Sequence, residues 1–296
     1  MDIKVDIAKK YSKIGDIPLQ WVLVAFLEEA IVSELAESDV AKDCVIKGDY
    51  IQFGGINKLL PYMPTLEIVF NRNEPREVLN KVENLNSDNI QIVKIREAGS
   101  IERYPWIEGN YYIQARVEKL NVSFAMKILY YCKSDVSKEV LKNSIYYIAA
   151  SAGVKEINGY TKMNPSVDMR SINIEGLIVE KLERIWTMGE LLDNMKDYYD
   201  ILYICSYYCL DGRRIREYIS DIGLDRHGLV NIKEQFDNKN LGRRWGAYIK
   251  DKGLQKISFG SLISSIERVF DPIIKAMENE EEFFGTWMPE LGRYID

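Results

Sequence analysis

Apolar and polar residues alternate with a period of two in the middle of the chain, as in half-buried β-strands. The alternation covers two consecutive segments, 111–118 and 120–130. In the second segment, one face carries Leu120, Val122, Phe124, Met126 and Ile128, and the other carries Asn121, Ser123, Ala125 and Lys127. The pattern predicts two strands joined by a tight reversal near residues 118–120.

Other elements of the first half follow from shorter patterns. Apolar residues recur at helical spacing over 17–37, and Glu28, Glu29 and Glu34 are expected mostly outside the apolar stripe. The segment 44–55, CVIKGDYIQFGG, favours β-structure and ends in a glycine pair. Strands are also predicted at 65–70 and 90–95, with a helix between them at 75–84 that Pro75 opens.

After about residue 170 the pattern changes to the 3.6-residue period of helices. Helices are predicted at 175–190, 193–209, 212–222, 240–251 and 258–277. The intervening segment 151–172 contains Gly153, Gly159 and Pro165, which are typical of a connection. The chain is therefore predicted to be α+β, with a mixed α/β domain over 1–170 and a helical bundle over 171–296.

Composition agrees with a folded protein and indicates the cellular location and the partners to expect. Of the 296 residues, 47% are hydrophobic and 28% are charged, which is the balance of a globular chain. No apolar run approaches the roughly 20 residues that span a bilayer, so we expect a cytoplasmic protein without a membrane partner. The net charge of −6 argues against a surface coated by nucleic acid, although it leaves room for a local basic surface.

Three segments carry the chemistry, in chain order. They are FGGINKLLPYMPTLEIVF (53–70), EGLIVEKLERIWTMGE (175–190) and NMKDYYDILYI (194–204). Glycines at a turn before a helix allow backbone N–H groups to approach phosphates. Carboxylates two positions apart on a strand point the same way and can hold Mg²⁺, and a lysine offers a positive charge to a triphosphate.

Together these segments resemble the AbiEii/AbiGii family of abortive-infection toxins. The resemblance implies a nucleotidyltransferase-like sheet followed by a helical bundle. It also implies transfer of a nucleotide from a nucleoside triphosphate to RNA, with tRNA the expected acceptor, or to protein. Mg²⁺ as cofactor, a role in phage defence and a cognate antitoxin partner are implied in the same way.

The resemblance also assigns roles to individual residues. Glu67 takes the position of the first metal-binding acid, and Glu67, Lys181 and Asp197 take those of catalytic residues. The expected nucleotide-binding residues are Gly54, Gly55, Lys181, Lys196 and Asp200.

The chain departs from the family pattern at the metal-binding strand. Val69 stands where the family has its second acid, and the polar face of 120–130 offers no carboxylate for the third. Because a hard dication prefers several anionic oxygens, we expect magnesium-dependent transfer to be weak or absent. The alternative is a non-catalytic scaffold that binds a nucleotide or a partner protein.

Ordinary structural roles remain open for the same residues. Lys181 and Lys196 can be surface lysines in ion pairs, and Asp197 and Asp200 can pair within the bundle. The basic run Arg213, Arg214 and Arg216 is typical of a solvated helix face, with RNA binding as the other interpretation.

Overall fold

The structure, a computed structural model, describes residues 5–54, 61–87, 89–103, 105–131, 150–151, 169–188, 195–222 and 239–296. Gly55 and most of the predicted connection lie outside these residues. The chain forms two compact units, and the described chain passes from the first to the second between Ile172 and Asn173. The predicted domain bounds, 1–170 and 171–296, remain a prediction.

A mixed sheet organises the first unit. Eight strands in the described part of the chain pair in the order β3-β4-β5-β6-β2-β1-β8-β7. They are β1 (Cys44–Gly48), β2 (Leu66–Phe70), β3 (Asn86–Ser87), β4 (Ile90–Arg103), β5 (Trp106–Val117), β6 (Leu120–Tyr131), β7 (Ala150–Ser151) and β8 (Ser171–Ile172). The pairs β2–β6 and β1–β8 are parallel, and the others are antiparallel.

The predicted hairpin of β5 and β6 is confirmed. Its turn lies at Glu118, which adopts a positive φ of 51° and accepts a hydrogen bond from the Val5 backbone N–H. The apolar face of β6 is buried, with Phe124, Met126 and Ile128 at 0% exposure, whereas Asn121 and Ala125 are exposed. The alternation therefore predicted both the strands and the face that each residue occupies.

Helices cover the apolar side of this sheet. They are α1 (Val5–Gly15), α2 (Leu19–Ala36), α3 (Asp49–Gly54) and α4 (Arg76–Glu83). α2 packs against β6, and α4 packs against β4. The expectation that Glu28 and Glu29 lie outside the core is wrong, because they are 0% and 1% exposed. α2 is buried nearly all round, so it has no solvated side for them.

The predicted β-structure over 44–55 is only partly correct. β1 ends at Gly48, which has a φ of +75°, and α3 begins at the next residue. Glycine adopts this left-handed conformation at little cost, so the chain turns from strand to helix here. Gly54 is the last residue of α3, and residues 55–60 lie outside the described part of the chain.

The second unit is mainly helical, as predicted. Its described helices are α5 (Ile174–Met188), α6 (Lys196–Tyr207), α7 (Gly212–Asp221), α8 (Lys239–Lys252) and α9 (Phe259–Glu278). A small antiparallel sheet of β9 (Leu210–Asp211), β10 (Thr286–Met288) and β11 (Arg293–Ile295) was not predicted. The Trp287 indole N–H donates to the Cys205 carbonyl oxygen at 2.7 Å, which ties β10 to α6.

Candidate functional site

A row of charged residues crosses the first unit's sheet at Glu67. Lys47 on β1 and Lys127 on β6 are the register partners of Glu67 on either side, so all three side chains lie on one face. The Lys47 Nζ lies 3.5 Å from the Glu67 carboxylate, and these side chains are 2% and 9% exposed. Lys127 forms an ion pair with Glu108 at 3.4 Å. Glu67 therefore lies between two cations.

The strand-to-helix turn packs directly against Glu67. A Cβ atom at Gly48 would lie 2.8 Å from both Cγ and Cδ of the Glu67 side chain. Only glycine accommodates both this approach and the positive φ. The close contact between a glycine turn and the acidic strand thus exists, but Gly48 makes it, six residues before the glycine pair that the sequence suggested. The apolar run before Lys47 and Gly48 was the signal that could have located it.

Asp49 places a further carboxylate at this turn. It is fully buried and accepts hydrogen bonds from the Thr65 backbone N–H at 3.1 Å and the Tyr62 hydroxyl at 3.2 Å. A carboxylate in the first turn of a helix occupies the position that favours a bound anion. The arrangement is therefore unfavourable for a phosphate at this turn.

Glu28 is a buried acid that the sequence interpretation missed. It is 0% exposed, and neither of its carboxylate oxygens has a hydrogen-bond partner among the described residues. Burial, followed by the negative charges of Asp49 and Glu67, raises the pKa of Glu28 well above its ordinary value. Folding therefore favours the protonated form of Glu28.

We predict that Glu28→Gln raises the stability of the protein at pH 8 and leaves it nearly unchanged at pH 4. The unfolded chain ionises Glu28 near pH 4.3, so stability is lost as the pH rises above that value. Urea unfolding at pH 8 should show a gain of about 1.4 kcal/mol for each unit by which the pKa of Glu28 in the folded protein exceeds its value in the unfolded chain. Glu83→Gln, an exposed change on α4, is the control, and an equal effect at both pH values would contradict the prediction.

The first unit does not fit a magnesium cage. Among the described residues, no group of three His, Cys, Asp or Glu side chains is placed to hold a metal ion. Val69 is 0% exposed and pairs with Val45 and Leu129, so the second acid position is apolar core. The third strand presents Lys127 beside Glu67. Positive charges on both sides of the single carboxylate oppose the binding of a dication.

The second unit brings together four of the predicted site residues. The Lys181 Nζ donates to the Asp200 carboxylate at 2.7 Å, and the Lys196 Nζ donates to the same oxygen at 2.6 Å. Asp197 lies 3.8 Å from the Lys181 Nζ. Lys181, Asp197 and Asp200 are at most 4% exposed, so this is a buried ion network between α5 and α6. The interpretation of Lys181 as a surface lysine is wrong.

Asp197 has a second cationic neighbour. The Arg184 Nε lies 3.2 Å from the Asp197 Oδ2, although the pair lacks hydrogen-bond geometry. Arg184 is also on α5, one turn beyond Lys181. The sequence interpretation did not include Arg184, and its spacing of three residues from Lys181 was the available signal.

The lysines determine the ionisation of Asp200. Burial alone raises the pKa of this carboxyl, but the charges of Lys181 and Lys196 and their hydrogen bonds hold it well below its ordinary value. Asp200 is therefore ionised throughout the neutral range. That Glu67 acts together with Lys181 and Asp197 remains a prediction.

Comparison with known proteins identifies the family. The family described as "Nucleotidyl transferase AbiEii toxin, Type IV TA system" matches residues 72–270, which is more than half of the chain. The chain belongs to the AbiEii nucleotidyl transferase toxin family. No curated protein sequence matches it.

Solved structures share the nucleotidyltransferase-like fold. JHP933 from Helicobacter pylori has a TM-score of 0.56 and 17% sequence identity, over 89% of this chain and 96% of that one. A candidate nucleotidyltransferase from H. pylori has a TM-score of 0.57 and 16% identity, over 90% and 100% of the two chains. At such identities the likeness shows the fold alone.

The extent of the AbiEii match separates the two charged sites. It begins at residue 72, after β2 ends at Phe70, and therefore excludes Glu67 and the Gly48 turn. It includes α5 and α6, which carry Lys181, Asp197 and Asp200. The match therefore covers the buried ion network of the second unit but not the acidic strand.

Proposed function

We propose that this chain is the toxin-side protein of a type IV toxin–antitoxin pair in which magnesium-dependent nucleotidyl transfer is weak or absent. The observation that carries the proposal is the row of Lys47, Glu67 and Lys127, where a metal-binding strand would need carboxylates. The proposal includes a genetically paired antitoxin, a role in phage defence and a cytoplasmic location. The chain would act by binding a nucleotide or a partner through the retained fold.

The charge balance supports this proposal. In the row, the positive charges of Lys47 and Lys127 face the negative charges of Glu67 and Glu108, so the side chains already neutralise one another. Nucleotidyl transfer instead needs fixed groups that stabilise developing negative charge at a phosphoryl group. Loss of one such group typically costs about a hundredfold in rate, and two acids are missing here, one at Val69 on β2 and one on the polar face of β6.

Binding of a triphosphate at Lys181 has a specific cost. The Lys181 side chain is 5% exposed, and its Nζ already donates to Asp200. A phosphate that takes this donor must leave a buried carboxylate with fewer cations around it. Lys196, with 21% exposure, is the more accessible of the two lysines. We therefore place any contact to a triphosphate tail at Lys196 before Lys181.

An active enzyme is the second candidate, and the retained network of the second unit favours it. Lys181, Asp197 and Asp200 lie together in the segment that matches the family. An altered site built on these residues would transfer a nucleotide from a triphosphate to RNA, tRNA first, or to protein.

A labelling assay distinguishes the two candidates. The protein is incubated with each of the four α-labelled nucleoside triphosphates, with Mg²⁺ or Mn²⁺ and total tRNA. We predict label transfer at background level, with no change in Glu67→Gln. The control is Glu83→Gln, which removes one exposed carboxylate from α4.

Robust transfer would overturn the proposal. If Glu67→Gln then abolished it while circular dichroism stayed unchanged, the acidic strand would be functional. If only Asp197→Asn abolished it, the altered site of the second unit would be the active one.

A further inference from the structure

Strands β4 and β5 of the first unit leave one face open to solvent, and cations occupy it. Residue pairs across the two strands are Gln91 with Arg116, Lys94 with Gln114, and Arg96 with Tyr112. Of these six residues, all are exposed. The six side chains share the solvent-exposed face of β4 and β5, and we name this set of residues the open sheet face. Successive rows along a strand are about 6.8 Å apart, so the cations extend over roughly 14 Å.

Two acidic residues of these strands, Glu97 and Glu102, lie on the opposite face. Glu97 pairs with Tyr111 and Glu102 pairs with Ile107, two positions of the other alternating set of β5. The electrostatics agree with this placement. Burial first, and then Tyr130 and Glu97, raise the pKa of Tyr111. Glu97 and Glu102 therefore lie opposite the cations, whereas Glu108 of β5 lies on the cations' own face, where it pairs with Lys127.

The cations of the open sheet face have no acidic partners. Among the residues that the structure describes, no carboxylate forms an ion pair with Lys94, Arg96 or Arg116. An anion that binds these exposed cations does not have to break an existing ion pair, so it avoids that free-energy cost. The face is thus prepared for a negatively charged partner.

The basic run on α7 differs in this respect. Arg213 pairs with Glu217 at 2.9 Å, Arg214 lies 3.6 Å from Asp211, and Arg216 lies 3.6 Å from Glu282. Each arginine of this run therefore has a neighbouring carboxylate. The interpretation of α7 as a solvated helix face is the better supported one, and the run provides a matched control.

An aromatic ring completes the open sheet face. Tyr112 is 36% exposed, and the Arg96 guanidinium lies 5.9 Å from its ring centroid. Exposed aromatic rings on a sheet, next to cations, are the surfaces on which unpaired bases stack. A single-stranded nucleic acid would use both the cations and this ring.

We propose that the open sheet face binds a single-stranded segment of RNA, with phosphates at Lys94, Arg96 and Arg116 and an unpaired base on Tyr112. The choice of RNA rests on the proposed function, where RNA is the acceptor named for the second candidate. The face continues towards Glu67. Tyr112 pairs with Ala125 of β6. Two residues further along β6, Lys127 pairs with Glu67. RNA on this face would therefore extend along the sheet towards the charged row.

The test measures RNA binding by fluorescence anisotropy with a labelled oligouridine of about 12 nucleotides. EDTA is present and triphosphates are left out, so the result does not depend on nucleotidyl transfer. We expect the triple variant Lys94→Gln, Arg96→Gln, Arg116→Gln to bind at least about tenfold more weakly. The slope of log K against log salt should become shallower by about 2, since each lost phosphate contact in a single strand contributes about 0.7.

Tyr112 supplies a second, independent readout. Tyr112→Leu should weaken binding by about tenfold through loss of base stacking, whereas Tyr112→Phe should bind as the native protein does. The control triple Arg213→Gln, Arg214→Gln, Arg216→Gln removes the same charge from α7. Circular dichroism verifies that each variant is folded.

Two outcomes would overturn the inference. One is that the native protein does not bind the oligonucleotide in low salt, and the other is that the α7 triple weakens binding as much as the sheet triple. RNA binding without label transfer leaves this inference intact and agrees with the proposed function. Label transfer would overturn the proposed function, whereas this inference would still be decided by the binding of the oligonucleotide.

Discussion

Replacing Asp200 by asparagine should destabilise the second unit by about 3–5 kcal/mol, the usual cost of removing one partner from a buried ion pair. Asp200 is 0% exposed and accepts hydrogen bonds from both Lys181 and Lys196. In the variant, Asp197 at 3.8 Å would be the anionic neighbour that Lys181 keeps among the described residues. A buried ammonium with so little compensation is costly.

Urea unfolding followed by tryptophan fluorescence measures this loss. Glu217→Gln is the control, because it breaks the exposed pair of Arg213 and Glu217, where both side chains are about half exposed. Such surface pairs contribute less than about 1 kcal/mol. A loss in Asp200→Asn as small as that in the control would show that the network does not stabilise the fold.

The same variant should change the response to acid. The pKa of Asp200 lies below its value in the unfolded chain, which is near 3.9. Its contribution to stability is therefore complete above about pH 4 and is lost as the pH falls below that value. Native protein should lose stability more steeply than Asp200→Asn between about pH 4 and pH 2. Parallel curves would contradict the assignment.

Period and spacing predicted most of the regular elements, but not α1 (Val5–Gly15), and β4 extends eight residues past its predicted end at residue 95. α2 and α4 begin and end within two residues of the predicted bounds, and α5 to α9 within three. The reason is that these helices, apart from α2, are amphipathic, so burial repeats along the sequence. The same reasoning placed Lys181 and Asp200 on adjacent helices, but it did not reveal that both are buried. Burial depends on what packs against a helix face, which a single sequence does not contain.

Two features of the first unit could not be predicted for physical reasons. α2 is apolar all round, so a helical-period analysis has no polar side on which to place Glu28 and Glu29, and both are in the core. α3 is six residues long, too short for a periodic pattern. Its β-favouring residues Tyr50, Ile51 and Phe53 suggested a strand, and the turn at Gly48 overrides that preference.

The small sheet of the second unit illustrates a different limit. β10 and β11 have three residues each and β9 has two, all shorter than an average strand. Their pairing depends on distant residues, since β10 pairs with β9 some 75 positions earlier, as between Trp287 and Leu210. Local pattern contains no information on such a contact.

A metal site should appear in the first unit when Lys127 is replaced by aspartate. The substitution places a carboxylate beside Glu67, on the same sheet face, and frees Glu108 from its present ion pair. Glu67, Asp at position 127 and Glu108 would then form a row of three acids with only Lys47 opposing them. Mn²⁺ affinity should rise by about a hundredfold, because the net charge near the ion becomes two units more negative. Isothermal titration calorimetry with Mn²⁺ measures the change.

The matched control is Lys119→Asp, which makes the same change of charge at an exposed residue of the β5–β6 turn. If general electrostatic attraction were the cause, Mn²⁺ binding would rise equally in both variants. If a cage forms, Mn²⁺ binding would rise in Lys127→Asp alone. Val69→Asp is the less suitable route, since Val69 is 0% exposed between Val45 and Leu129 and a carboxylate there would be buried among apolar neighbours. Equal affinities in Lys127→Asp and Lys119→Asp would mean that Lys127 does not oppose a metal ion beside Glu67. Weak or absent transfer would then need another cause, and the buried Val69 would be the first candidate.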